Sequence, residues 1–185
     1  MKELSLNILD IVENSTKAEA ELVKIEIYES DELLSITITD DGTGMNEETL
    51  KSVTDPFYTT RTTRKVGMGI PLFRLAVQQT GGEFSIESTH VDVDAKNHGT
   101  EVRAIFNKTH IDFTPLGDII STIITLIQGH PNVDFLFNHT KGERCVSLDT
   151  REMRQVLEDI PLDSFEILRW IKENLAEQYD EFNKK

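Results

Sequence analysis

Apolar and polar positions divide the chain into runs of two periods. Residues 3–18 place Leu4, Ile8, Leu9, Ile11 and Val12 on one stripe, which predicts an amphipathic helix. Asp10, Glu13, Asn14 and Lys17 fall on neighbouring faces, with Asp10 and Asn14 stacked one turn apart. Val23–Tyr28 and Leu33–Thr39 alternate and are rich in β-branched residues, so they predict an antiparallel hairpin. Asn46, followed by two glutamates, caps a short helix running to about Val53. Residues 55–66 have no apolar periodicity and predict a loop. Gly67-Met68-Gly69-Ile70-Pro71 opens a helix to about Thr80, with Pro71 in a first turn where its missing N–H costs nothing. Gly81-Gly82 ends it, Glu83–Ser88 predicts a strand, 89–98 a polar turn, and Gly99–Phe106 another strand.

Helix, strand, strand, helix, loop, helix, strand, strand suits a two-layer α/β (α+β) sandwich with a mixed or antiparallel sheet. A doubly wound parallel sheet fits it less well. Beyond residue 107 the pattern changes. Leu116–Gln128 predicts a helix, broken by Gly129-His130-Pro131. Val133–Asn138 and Arg144–Leu148 predict a hairpin, and Thr150–Leu157 and Ser164 to about Glu181 two helices. We therefore divide the chain into residues 1–107 and a small α/β extension, 108–185. The extension carries no spacing that points to chemistry and is small for an independent core. Its broad apolar face, Ile119 to Ile127, is expected to dock on the first part or to form a dimer surface.

Composition narrows the classes. The chain is 38% apolar, enough for a real core, and its net charge is −14. That charge argues against a nucleic acid partner, because phosphate neutralisation needs clustered Lys and Arg. No apolar run approaches the about 18 residues of a membrane span, and no signal peptide is evident. The single cysteine excludes an internal disulfide and any Cys-built metal site. These features predict a soluble cytoplasmic protein. His90, His98, His110, His130 and His139 fall in turns or at strand edges and are expected at the surface.

Three stretches suggest more than architecture. Thr39–Met45, Thr-Asp-Asp-Gly-Thr-Gly-Met, ends a strand with two glycines behind an acid. Glycine has no Cβ to block a ligand, so this turn suits a planar base lying across it, though an ordinary Asp-Gly turn has the same look. Asn14 is a poor helix former in mid-helix and needs a reason to be there. Arg61, Arg64 and Lys65 form a positive cluster on an acidic protein, as an anionic ligand requires.

Taken in order, Asp10-Ile-Val-Glu-Asn14-Ser-Thr-Lys17, Asp40-Asp-Gly42-Thr-Gly44-Met45, Asp55-Pro-Phe57-Tyr-Thr-Thr-Arg61, Gly67-Met68-Gly69 and Gly99-Thr100 resemble the N, G1, F and G2 boxes and the closing Gly-Thr of the GHKL ATPase superfamily. The resemblance covers residues 3–107 and implies a Bergerat-type ATP-binding fold with ATP and Mg²⁺ as cofactors. It implies that Asp40 accepts from the adenine amino group, buttressed by Thr100, and that Gly42, Gly44 and Met45 line the base. Asn14 would ligate Mg²⁺, a hard cation that prefers oxygen, and Lys17 would reach a phosphate. Phe57, Arg61, Met68 and the amides of Gly67 and Gly69 would complete the phosphate side under a lid.

Asp10 occupies the place where MutL-like and serine-kinase members carry a glutamate base, so it is read as a metal ligand or a general base. Lys65 stands where family kinases have a third glycine, and Ala18 where an aromatic often follows the lysine. No histidine lies in a helix before the first motif, so a phosphoacceptor is expected on another protein. The whole chain also resembles short stand-alone histidine-kinase-like proteins. Three functions fit: phosphotransfer to a partner protein in signalling, an anti-sigma-like nucleotide-dependent binding switch, or a slow ATPase that forms a homodimer on ATP.

Overall fold

The computed structural model describes residues 3–54 and 68–184. Their order is α1 (Leu4–Lys17), β1 (Leu22–Glu29), β2 (Leu33–Asp40), α2 (Glu47–Thr54), α3 (Gly69–Gln79), β3 (Glu83–Thr89), β4 (Gly99–Asn107), α4 (Ile119–Gly129), β5 (Asp134–Lys141), β6 (Arg144–Asp149), α5 (Thr150–Leu157) and α6 (Phe165–Phe182). The strands form one six-stranded sheet, ordered β3-β4-β2-β1-β5-β6. β1 and β5 pair in parallel and every other neighbouring pair is antiparallel, so the sheet is mixed.

Alternation explains the layering. Val23, Ile25 and Ile27 of β1 and Leu34, Ile36 and Ile38 of β2 are buried, while Lys24, Glu26 and Tyr28 face outward. A period of two puts the first set on one face, and that face takes the helices. α3, α1, α4 and α6 pack in a row, each against the next. α1 buries Leu4, Ile8, Ile11 and Val12, as its stripe predicts. The core continues through Ile123 and Ile127 of α4, Phe135 and Phe137 of β5, and Ile171 and Leu175 of α6. The two-layer α/β sandwich is thus the observed fold. β5 and β6 extend the sheet past β1, a placement that periodicity alone does not specify.

One histidine departs from expectation. His139 follows Phe135 and Phe137 in the inward register of β5 and is only 2% exposed. Its Nδ1 lies 2.8 Å from the Tyr179 hydroxyl of α6, and its ring packs against Phe182. The reason is geometric: the third inward position of a buried strand is buried whatever residue fills it. Burial holds the His139 pKa below the ordinary histidine range, opposed by nearby Glu29. Glu29 is itself pushed up by burial, but ion pairs with Lys108 (2.7 Å) and Lys141 (3.0 Å) outweigh that and hold it low.

Candidate functional site

A cleft of about 660 Å³ opens between the last turn of α1, the ends of β2 and β4, and the turn after β2. Asn14, Lys17 and Ala18 come from α1; Asp40, Gly44 and Met45 from β2 and its turn; Thr100 and Val102 from β4. Three of the five sequence motifs supply these groups, and the sheet order explains their meeting, since β2 lies directly beside β4. Asp40 pairs with Thr100 across the ladder.

Asp40 is the most constrained group here. Its Oδ1 accepts from the Gly42 amide (3.0 Å) and the Thr100 amide (3.2 Å). Its Oδ2 accepts from Ser15 Oγ at 2.6 Å. Burial raises the Asp40 pKa above the ordinary carboxylate value, and the bonds from Ser15, Gly42 and Thr100 oppose that rise. An ionised carboxylate offers about four acceptor positions. Three are used, so the carboxylate keeps room for one further donor from the cleft. An exocyclic amine is a donor that matches this acceptor.

The turn beside it is held rigidly. Thr43 N donates to Ala18 O (2.7 Å), and His98 donates from Nδ1 to Gly42 O (2.6 Å). A Cβ on Gly42 would stand 2.7 Å from Ala18 O. Gly44 sits at φ +69°, where a side chain would strike the Thr89 carbonyl. Both glycines are therefore required by close backbone approach. Ala18 presses its backbone against this turn, a role an alanine performs as well as a larger residue. Ser88 Oγ accepts from Met45 N (2.7 Å), donates to Gly99 O (3.0 Å) and lies 2.9 Å from Thr100 Oγ1. It ties the turn to the Gly-Thr strand.

At the other end, Asn14 is half-buried and Lys17 exposed, both on the cleft. Asp10 is exposed one turn earlier, outside the cleft lining, with its Cβ against the start of α3. A Cβ on Gly69 would meet Asp10 Cβ at 2.9 Å, so the glycine lets α3 approach α1. Met68 stands at the helix entrance, 62% exposed. Phe57, Arg61, Arg64, Lys65 and Gly67 lie outside the described residues. Among the described residues, no group of three or more His, Cys, Asp or Glu could hold a metal. A Mg²⁺ bound chiefly through ligand phosphates and one or two protein oxygens needs no such group, and Asn14 can supply one.

Sequence reasoning missed Ser15, Ser88 and His98. Ser15 had a local signal, a small polar residue beside Asn14 on a helix whose buried face it joins. Ser88 and His98 had none, because their partners are set by strand pairing.

Comparison with known proteins bears on the fold and the family. Sporulation kinase E of Bacillus subtilis is 33% identical over 89 residues, which is 48% of this chain and 12% of that protein. The curated relatives are far longer, since the matches span 20% or less of their lengths. The N-terminal domain of a DNA repair protein superposes with a TM-score of 0.56 at 15% identity, over 80% of this chain and 53% of that one. A variant MutL ATPase domain from Aquifex aeolicus gives 0.52 at 16% identity, over 85% and 68%. Both share the fold. Among the described residues, no helix is long and apolar enough to cross a membrane. Residues 2–110 match the model of the histidine kinase-, DNA gyrase B-, and HSP90-like ATPases, and the chain belongs to that family through an ATP-binding domain of the histidine-kinase type.

Proposed function

We propose that the protein binds ATP with Mg²⁺ in this cleft and transfers the γ-phosphoryl group to a side chain of a partner protein. The observation that carries the reading is Asp40, a half-buried carboxylate with three internal donors and one position left for an adenine amino group. Guanine presents a carbonyl at the corresponding place, so an acceptor-only carboxylate selects against it. Thr100 and Ser15 hold the carboxylate, while Gly42, Gly44 and Met45 let the base lie close to the backbone. Asn14 offers its side-chain oxygen to the metal and Lys17 its ammonium to the phosphates, a role the family motif also assigns to Arg61. Met68 and Gly69 open α3 near that end, and the family motif assigns Phe57 and Gly67 to the same nucleotide. Mg²⁺, when bound, offsets the charge that builds on the transferring phosphoryl group. The similarity to a sporulation kinase supports transfer over simple binding.

A second reading, hydrolysis without transfer, has its own support. Asp10 lies one turn before Asn14, exposed and able to orient water. Incubation of the purified protein with γ-labelled ATP and a cell extract separates the two. Transfer puts label on a protein band, and hydrolysis releases it only as free phosphate. Failure to bind ATP at all would overturn both.

A further inference from the structure

The extension after residue 107 holds α1 at both ends, and α1 carries Asn14, Ser15 and Lys17. At its N-terminus, α1 has no side-chain cap and no acid in its first turn. Its first amides are satisfied from outside: Leu4 N donates to Pro115 O (3.0 Å) and Ser5 N to Leu116 O (2.8 Å). Glu3 returns a bond by accepting from Asp118 N (3.1 Å). α4 then runs alongside α1 in the same direction, with Thr122 Oγ1 bonding Ser5 O (3.4 Å). Just past its end, His130 Nε2 lies 2.8 Å from Glu13 Oε1. Glu13 immediately precedes Asn14 in the last turn of α1.

That turn does most of the cleft's work. It supplies Asn14 and Lys17, fixes Asp40 through Ser15, and receives Thr43 N on Ala18 O. The two ends of the cleft are anchored unequally. Asp40 is also held by Gly42 and Thr100, both outside α1. Among the described residues, no side-chain hydrogen bond or ion pair anchors Asn14 or Lys17 beyond the helix that bears them. We infer that His130 is a positioning residue for the nucleotide site, acting through Glu13 to fix the turn that presents Asn14 and Lys17 to the phosphates and metal. The inference rests on the nucleotide reading above and gives residues 108–185 a part in that site.

The test uses the full chain with His130→Ala, Glu13→Ala, the double variant and His130→Gln, which keeps a nitrogen donor. We expect His130→Ala to weaken MgATP binding about threefold, the scale of one side-chain hydrogen bond, with adenosine affinity unchanged. Amide exchange at residues 14–18 should quicken without nucleotide present. Glu13→Ala should match it, the double variant should add nothing, and His130→Gln should restore both readouts. Unchanged exchange and unchanged MgATP affinity would overturn the inference, as would equal weakening of MgATP and adenosine, which marks general loosening. If the wild-type protein binds no adenine nucleotide, the proposed function fails instead. The exchange measurement then still decides whether His130 holds the turn.

Discussion

Replacing Asp40 with Asn separates binding from folding, because the two respond in opposite directions. The Asn oxygen can take the place of Oδ1 and keep the bonds from Gly42 and Thr100, now 3.0 and 3.2 Å. The amide nitrogen then faces Ser15, whose hydroxyl can rotate to accept instead of donate. The local structure is preserved. What changes is the remaining cleft-facing position, where an acceptor becomes an N–H opposed to the adenine amino group. A hydrogen bond to a charged group contributes about 1.5–3 kcal/mol, so the ATP dissociation constant should rise roughly 10- to 100-fold. Stability should not fall. The folded-state pKa of Asp40 lies above its ordinary 3.8, so the favourable contribution exists below that pH and is lost as pH rises through the folded value. At neutral pH the buried charge is a net cost, which the neutral amide relieves. Calorimetry with a non-hydrolysable ATP analogue and thermal melts at pH 7 measure both. Unchanged affinity would refute the adenine assignment, and a parallel fall in affinity and melting temperature would make Asp40 a structural residue.

Three other outcomes follow from the same structure. Burial holds the His139 pKa below its ordinary 6.5, against the pull of Glu29, so its stabilising contribution is full above pH 6.5 and declines as pH falls toward the depressed folded value; melts between pH 5 and 8 should show a slope that His139→Gln flattens. Asp10→Asn should cut any hydrolysis by about a hundredfold or more while MgATP binding persists, as measured by phosphate release beside calorimetry; equal turnover in both proteins would remove the base role. Gly44→Ala forces a side chain at φ +69° onto the Thr89 carbonyl and should cost about 2 kcal/mol or more, seen as a lower denaturation midpoint in urea.

How much of this was legible in the residues depends on the distance over which each feature is encoded. Element positions were readable because periodicity is local: the α1 stripe, the alternation of β1 and β2, and the turn at 39–45 each declare themselves within a few neighbours. The cleft was readable because its motifs carry unusual residues, two close glycines and a mid-helix Asn, at positions where ordinary structure prefers others. Pairing was not readable. Nothing in Asp134–Lys141 says that it lies parallel to Leu22–Glu29, and His139 looks polar until that pairing turns it inward with Phe135 and Phe137. Ser15 meets Asp40 across 25 residues and His130 meets Glu13 across 117. Both contacts are made by common polar residues, whose role is fixed only by the element facing them. The division at residue 107 shows the limit of local reading: composition and pattern change there, yet α1 takes its N-terminal hydrogen bonds from Pro115 and Leu116. A boundary drawn by pattern marks where the motifs stop, while the helix that carries Asn14 is completed by residues beyond it.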